Sequence, residues 1–312
     1  THLLLMRMSN TTWTLLTPQS QGAIAIIQLQ GDVTPVLEQL TGRREWHNNR
    51  LQLETIENID EVICVRLSDS LAQIMPHGSM HIIRLIETRF HQLGVEHSTQ
   101  TVFPEASSKV EAEMLLALSR AASPLAIDLL LQQPELHEVD SCSNPKRDVA
   151  LNHLINPPTV IMLGESNTGK STLMNALTNE ETSIVHDMPG VTRDAVGARV
   201  NCHGLVINLY DLPGIRESDD AIEQEAIALS KRLIAEASLV IQIRDASSAW
   251  VDCNTTTTLK VGTKVDDEAV PDAELQVSAL QNHNVSELSS RIRQELIPDE
   301  FLAEKSTWKF FD

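Results

Sequence analysis

The chain has 312 residues, of which 42% are hydrophobic and 21% charged, with a formal net charge of −19. This composition is typical of folded domains and excludes a disordered chain. No apolar run approaches the length of a membrane span, so we expect no membrane partner. A strongly acidic chain does not bind nucleic acid through a general electrostatic field. Four cysteines without CxxC spacing argue against a zinc site and indicate reduced thiols in the cytoplasm.

A small α+β domain is predicted over residues 10–104. The apolar run AIAIIQL, after the turn signal PQSQG, is typical of a central strand, and residues 51–67 contain shorter β-like runs. Residues 78–93 place apolar side chains on one helical face, namely Ile82, Ile83, Ile86, Phe90 and Leu93. Strands that alternate with helices favour an α+β unit.

A helical segment and linker are predicted over residues 105–156. Residues 108–133 have a helical pattern that Pro124 breaks or kinks, and the polar, proline-containing stretch QPELHEVDSCSNPKRD is interpreted as the linker. From 157 to 298 strands, loops and helices repeat, which predicts a mostly parallel sheet with flanking helices. The tail 299–312 is expected to pack its aromatic side chains onto the body or onto a second copy of the chain.

The stretch GESNTGKSTLMNAL at 164–177 follows a short apolar strand and opens a helix, which is the context of a phosphate-binding loop, or P-loop. The spacing places Lys170 to reach the β- and γ-phosphates and Ser171 to ligate Mg²⁺. A chance glycine-rich turn is the alternative. The predicted phosphate-binding residues of this stretch are Gly164, Asn167, Thr168, Gly169, Lys170, Ser171 and Thr172.

Two later segments are candidates for holding Mg²⁺ and sensing the γ-phosphate. In GVTRD, Thr192 offers a hydroxyl to the metal and a backbone N–H to the phosphate. The strand LVINLYDLPG ends in Asp-x-x-Gly, where Asp211 would contact Mg²⁺ through water and the Gly214 N–H would meet the γ-phosphate. Each match alone is weak, and a structural role is the alternative for each. Their order after the P-loop supports the functional interpretation.

A base-binding site is predicted further along the chain. The strand and turn LKVGTKVD place Asp266 to accept hydrogen bonds from the ring N–H and exocyclic amine of guanine. Thr263 and Lys264 precede it in the motif, and the Lys264 side chain would lie along the base. Ser278 and Ala279 follow the next strand, and their backbone can meet the guanine carbonyl. An ordinary solvated turn is the alternative for TKVD, and an ATP-using P-loop enzyme is a remote alternative for the domain.

The motifs GESNTGKST, GVTRD, DLPGIRESDDAIE, TKVD and SAL, in this order, resemble the G domain of the tRNA-modification GTPase family (MnmE, also called TrmE). Upstream, TPQSQGAIAIIQLQG, MPHGSMHIIRLIETRF and SKVEAEMLLALSRAASPLAIDLLL resemble that family's N-terminal domain and the start of its helical domain. The resemblance therefore covers most of the chain and is more specific in the G domain than before it.

The resemblance implies a K⁺-assisted GTPase. Asn167 matches the asparagine that helps to coordinate K⁺, and carbonyls around Pro189, Gly190 and Val191 would complete that site. Glu223 matches the glutamate that orients the attacking water when two G domains dimerise, which makes it a catalytic candidate beside Lys170. A solvated helix residue is the alternative for Glu223. Arg216 and Glu217 match the arginine and glutamate of the family's switch II.

The sequence also departs from the family pattern. Switch II begins DLPG rather than Asp-Thr-Ala-Gly, Thr263 stands where the guanine motif usually has Asn, and the segment after IRDASS is too short for the helix that normally follows. VFPEASSK replaces the family's folate-binding loop, which argues against a folate derivative. The long helical insertions and the terminal Cys-x-Gly-Lys motif have no counterpart in this sequence, which indicates a shortened, divergent member.

Two functions remain open at this point. In the first, the protein binds GTP or GDP, dimerises through its N-terminal domain and transiently through its G domains, hydrolyses GTP with Mg²⁺ and K⁺, and supports wobble-uridine modification of tRNA with a flavoprotein partner. In the second, it is a GTP-dependent switch or interaction module that has lost tRNA modification. Both require GTP binding.

Overall fold

The computed structural model describes residues 11–17, 22–139, 144–180, 182–183, 196–212, 230, 232–251, 253, 258–266 and 268–310. The chain divides into two units, Thr1–Arg120 and Ala121–Asp312. No helix among the described residues has the length and apolar character that crossing a bilayer requires.

The first unit is built on a six-stranded sheet with the order β3-β4-β5-β2-β1-β6, in which all neighbours are antiparallel except β1 and β6. Its strands are β1 Thr12–Leu15, β2 Ile27–Gln30, β3 Leu51–Ile56, β4 Asp60–Ser68, β5 Leu71–Met75 and β6 Glu96–His97. Its helices are α1 Val33–Thr41, α2 Met80–Gln92 and α3 Lys109–Arg120. One apolar core joins residues of α1, α2 and the strands.

The helical pattern over 78–93 is confirmed by α2, in which Ile83, Ile86 and Phe90 are buried. Ile82 and Leu93 are partly buried and pack against the same core. The strand predicted in AIAIIQL is shorter than expected, because only its last residues form β2. Ile24 makes an isolated bridge to His77 instead.

The second unit begins with three short helices, α4 Ala126–Leu131, α5 Gln133–Val139 and α6 Pro145–Asn152. The helical pattern over 108–133 is interrupted between α3 and α4, around Pro124, as expected. The interpretation of 133–148 as a linker is wrong, since α5 and the start of α6 lie there. Asn144 caps α6 by accepting from the Lys146 and Arg147 backbone N–H groups, and Pro145 occupies the first helical position, where its missing N–H costs nothing.

A seven-stranded sheet with the order β13-β12-β11-β7-β10-β9-β8 forms the centre of this unit. The five strands from β13 to β10 are parallel to their neighbours, and β9 and β8 continue the sheet antiparallel. The mostly parallel sheet is thereby confirmed. Its strands are β7 Thr159–Leu163, β8 Thr182–Ser183, β9 Val196–Cys202, β10 Leu205–Leu212, β11 Leu239–Arg244, β12 Thr258–Thr263 and β13 Leu275–Val277; the helices of this part are α7 Lys170–Glu180, α8 Val285–Leu296 and α9 Asp299–Ala303.

The connection from β11 to β12 contains no helix in its described residues, 245–251 and 253. Two cations lie near the Trp250 ring in this connection, with the Arg244 Cζ 5.0 Å and the Lys260 Nζ 5.4 Å from its centroid. Val251 and Cys253 pack against an apolar cluster of the sheet. Side chains of this short connection therefore cover part of the surface that a crossover helix would cover.

The segment after α9 folds back onto α5 and α6. Trp308 is fully buried and Phe310 nearly so. Arg147, 1% exposed, donates to one backbone carbonyl of α9 and to three of the segment after it. The distances are 2.9 Å to Phe301 O in α9, 2.8 Å to Glu304 O, and 3.3 Å to Ser306 O and Thr307 O. The backbone N–H of Trp308 donates to Gln133 Oε1 at 2.7 Å. Trp308 and Phe310 thus pack onto the body of the unit.

Candidate phosphate- and base-binding site

The carboxyl ends of five parallel strands meet at one edge of the second sheet, which is where ligands bind in folds of this class. The turn after β7 is tightly constrained. A Cβ at Gly164 would lie 2.2 Å from the Ile243 carbonyl oxygen, so only glycine fits there. Asn167 and Gly169 have left-handed φ angles of 66° and 93°. The backbone of the turn GESNTGKS therefore requires glycine at 164, and its left-handed positions are occupied by an asparagine and a glycine, which adopt that conformation readily.

Lys170 lies at the start of α7 and is 7% exposed. Its Nζ donates to the carbonyls of Gly164 at 2.9 Å and Glu165 at 2.8 Å, inside the turn. Burial lowers the pKa of Lys170, and the nearby Asp211 partly opposes that shift. The Thr168 hydroxyl donates to Glu165 O at 2.9 Å. The turn thus holds an ammonium donor at its centre, which a phosphate oxygen could accept in place of these carbonyls.

Ser171 and Asp211 meet across the site, although they are far apart in sequence. The Ser171 hydroxyl donates to Asp211 Oδ2 at 2.7 Å, and Thr172 is exposed beside it on α7. Two hard oxygen donors next to a phosphate-binding turn are what Mg²⁺ uses, with water and phosphate oxygens as its other ligands. No group of three or more His, Cys, Asp or Glu side chains suited to a metal occurs in the described part of the chain.

The predicted base-binding residues lie on the two neighbouring strands. Asp266 follows β12 and accepts a hydrogen bond from the Ser278 hydroxyl at 2.8 Å. Ser278 follows β13, is 1% exposed, and has Ala279 next to it. The structure therefore brings the TKVD and SAL segments together, with a carboxylate held at their meeting point.

The TKVD segment is also bonded to the phosphate-binding turn. The Thr263 hydroxyl lies 2.5 Å from Thr168 O and 3.1 Å from Arg244 O. The Lys264 Nζ donates to Asn167 O at 2.5 Å. These hydrogen bonds hold the candidate base-binding and phosphate-binding segments next to each other.

One residue of this network was not predicted from the sequence. Asp245, at the end of β11, accepts from the Lys264 Nζ at 2.7 Å. Burial raises the pKa of Asp245, but hydrogen bonds from Lys264, Ser247 and Ser248 outweigh burial and hold that pKa well below its usual value. The signal that could have found it is an aspartate directly after a buried parallel strand, at the same sheet edge as the other motifs.

Several predicted residues lie outside the described residues, and the structure does not test them. They are the phosphate and metal candidates Thr192 and Gly214, the catalytic candidate Glu223, the potassium-loop residues Pro189, Gly190 and Val191, and the switch II pair Arg216 and Glu217.

Comparison with known proteins places this site in a described class. A family model described as 50S ribosome-binding GTPase matches residues 159–271. The tRNA modification GTPase MnmE of Acidiphilium cryptum is 40% identical over 137 residues, which cover 43% of this chain and 32% of that protein. The MnmE protein of Moorella thermoacetica is 32% identical over 213 residues, covering 67% of this chain and 43% of that protein.

A longer match extends over both units. The MnmE protein of Nitratidesulfovibrio vulgaris (strain DP4) is 26% identical over 313 aligned residues, covering 78% of this chain and 68% of that protein. The solved structure of Aquifex aeolicus Era bound to GDP.AlF4- aligns with 44% of this chain at 24% identity and a TM-score of 0.36, which is too low to bear on function.

These relatives are longer than the part that this chain matches, since the chain spans between 32% and 68% of their length. The matched region 159–271 contains the phosphate-binding turn, Asp211 and the TKVD segment. The chain carries a P-loop GTPase domain and is a divergent relative of the MnmE-type tRNA-modification GTPases.

Proposed function

We propose that this protein binds GTP at the edge of the second sheet and hydrolyses it to GDP, with Mg²⁺ as a cofactor. The observation that carries the proposal is the direct hydrogen bonding of the TKVD segment to the phosphate-binding turn, through Thr263 to Thr168 O and through Lys264 to Asn167 O. A guanine nucleotide needs both sites in one place, and each motif without the other would be an ordinary turn.

The residues have separate roles in this proposal. The Lys170 ammonium would leave the Gly164 and Glu165 carbonyls and donate to the β- and γ-phosphates. There it would stabilise the negative charge on the phosphate oxygens during phosphoryl transfer. Ser171 and Asp211 would hold Mg²⁺, which neutralises charge between the phosphates. Asp266 would accept from guanine while Ser278 keeps its carboxylate in place. Thr192 and Gly214 would contribute the γ-phosphate contacts.

The direct experiment compares GTP with ATP hydrolysis by the purified chain and by Lys170→Ala. We expect Mg²⁺-dependent turnover of GTP only, and loss of turnover in the variant because a buried donor to the phosphates is missing. Equal turnover of the two nucleotides would contradict the base assignment. GTP turnover that survives Lys170→Ala would contradict the phosphate assignment.

We further propose that K⁺ assists hydrolysis and that two G domains meet when it occurs. The Asn167 side chain is exposed at the phosphate-binding turn, so its oxygen is available to a monovalent cation between the phosphates. Glu223 would then aim the attacking water. Turnover in KCl should exceed turnover in NaCl at equal ionic strength, and Asn167→Ala should remove the difference. Glu223→Ala should lower kcat and leave GDP affinity intact, because aiming water matters only in the transition state.

The relatives are named tRNA modification GTPases, and on that ground we propose a role in tRNA modification. From the family resemblance of the sequence we propose further that the modified base is the wobble uridine, that a flavoprotein is the partner and that a homodimer forms through the first unit. A GTP-dependent switch or interaction module is the alternative, favoured by the net charge of −19. Deleting the gene separates the two. Loss of the wobble modification supports the first, whereas unchanged modification supports the second.

A further inference from the structure

We propose that Asp245 is a positioning residue for guanine binding. Its carboxylate holds the Lys264 side chain across the phosphate-binding turn, and the base would lie along that side chain. This inference rests on the proposed GTP binding and adds to it a residue outside the TKVD and SAL motifs. It is carried by the ion pair between Lys264 and Asp245, whose Nζ and Oδ2 atoms lie 2.7 Å apart.

The Asp245 carboxylate is itself held in place by the turn that follows it. Asp245 is 7% exposed. Its Oδ1 accepts from the Ser247 backbone N–H at 3.1 Å and from the Ser247 hydroxyl at 2.8 Å. Its own backbone N–H donates to the Ser248 hydroxyl at 3.0 Å. One carboxylate oxygen is therefore fixed locally, and the other is presented to Lys264 in one direction.

Lys264 needs such an anchor for two reasons. Its φ angle is 56°, a left-handed conformation that a residue with a side chain adopts only when its surroundings hold it there. Its ammonium group ends a flexible four-carbon stem that is 47% exposed. Asp245 and the Asn167 carbonyl are the acceptors that fix this stem. Without Asp245, the neutral Asn167 carbonyl is the remaining acceptor for the ammonium among the described residues.

The neighbouring residues make their contacts without Asp245. Thr263 donates to Thr168 O in the phosphate-binding turn and Asp266 accepts from Ser278, so we expect both contacts to persist when Asp245 is changed. The loss should therefore appear in the discrimination between bases, to which the Lys264 stem contributes, more than in the binding of phosphates. This is the readout that separates positioning from a merely structural role.

The experiment measures the affinities of GDP and ADP for wild type and for Asp245→Asn, which keeps the size of the side chain and removes its charge. We expect the preference for GDP over ADP to fall about tenfold, as expected for one charge-assisted hydrogen bond. Lys264→Met should produce a similar fall, and the double variant no further fall, because both changes remove one interaction. Asp299→Asn is the control, since it removes the ion pair with Arg293 elsewhere in the same unit and should leave the preference unchanged.

Each outcome bears on the inference. A wild-type chain that binds neither nucleotide would overturn the proposed function and this inference with it. A wild-type chain that prefers GDP, with Asp245→Asn equal to it, would overturn the inference alone. If Asp245→Asn does not fold, Ser247→Ala takes its place: it removes one bond to the carboxylate, and an unchanged preference in that variant would also overturn the inference.

Discussion

At Thr263 one hydroxyl proton lies between two acceptors. The Oγ1 atom is 2.5 Å from Thr168 O and 3.1 Å from Arg244 O, but a hydroxyl can donate to only one of them at a time. The asparagine usual at this position in the family would offer two N–H donors. Thr263 therefore joins the base-binding segment to the phosphate-binding turn with one hydrogen-bond donor, where asparagine would offer two.

Thr263→Val keeps the shape of the side chain and removes the hydroxyl, which leaves a buried carbonyl unpaired. We expect the free energy of unfolding of the nucleotide-free protein to fall by about 1–3 kcal/mol, measured by urea denaturation. Thr258→Val, at the other end of the same strand and only half-buried, is the matched control and should change it little. Equal effects of the two variants would show that the hydroxyl contributes no stability.

Asp266→Asn tests whether the Asp266 carboxylate recognises guanine. The carboxylate would accept from guanine, so the variant should lose on the order of 1.5–3 kcal/mol of GDP binding and keep its ADP binding. Competition binding with the two nucleotides measures this. Asp272→Asn, an exposed loop substitution, is the control. Unchanged GDP affinity in Asp266→Asn would mean that another residue reads the base.

At the scale of elements, the sequence predicts those helices, strands and turns whose formation depends on neighbouring residues in the chain. The strand β7, the turn after it and the start of α7 follow from an apolar run, glycines at fixed spacing and a helical repeat. The two helices within 133–148 could not be predicted in the same way, because prolines look like linker signals. At α6 the asparagine cap and the proline at the first helical position begin a helix instead.

The site shows the same limit. Lys170, Ser171 and Asp266 are candidates from the sequence alone because each belongs to a motif with its own spacing. Asp245 belongs to no such motif, since Asp-Ala-Ser-Ser is an ordinary turn sequence and its partner Lys264 is 19 residues away. Only the parallel order of β11 and β12 brings the two together. Residues whose partners lie on a neighbouring strand are thus harder to find from the sequence than residues that belong to a motif.

One buried cation, Arg147, contributes to the packing of the C-terminal segment on α5 and α6. Arg147→Met keeps the apolar stem and leaves the four carbonyls of residues 301–307 without their donor. We expect unit 2 to lose about 2–4 kcal/mol of stability, seen as a lower Tm. Arg232→Met, which removes an exposed pair with Glu236, should leave the Tm unchanged. A Tm that is equally unaffected in Arg147→Met would show that the contacts are dispensable.

At the scale of the whole molecule, charge sets what the chain can bind unaided. A net charge of −19 repels a polyanion, and the proposed binding of GTP requires that the P-loop concentrate its donors at one point. We expect the isolated chain to bind unmodified tRNA weakly or not at all at physiological salt. A mobility-shift titration measures this. Saturable, tight binding would mean that a local basic surface outweighs the overall charge.

The way in which Arg147 holds the C-terminal segment has an evolutionary consequence. Its acceptors are main-chain carbonyls, which every amino acid supplies, so residues 301–307 can drift in sequence while the contact persists. Selection should act on the arginine and on buried aromatic side chains such as Trp308. Among homologous proteins, an arginine at the start of α6 and a later tryptophan would therefore mark this docking even where the intervening residues have diverged beyond alignment.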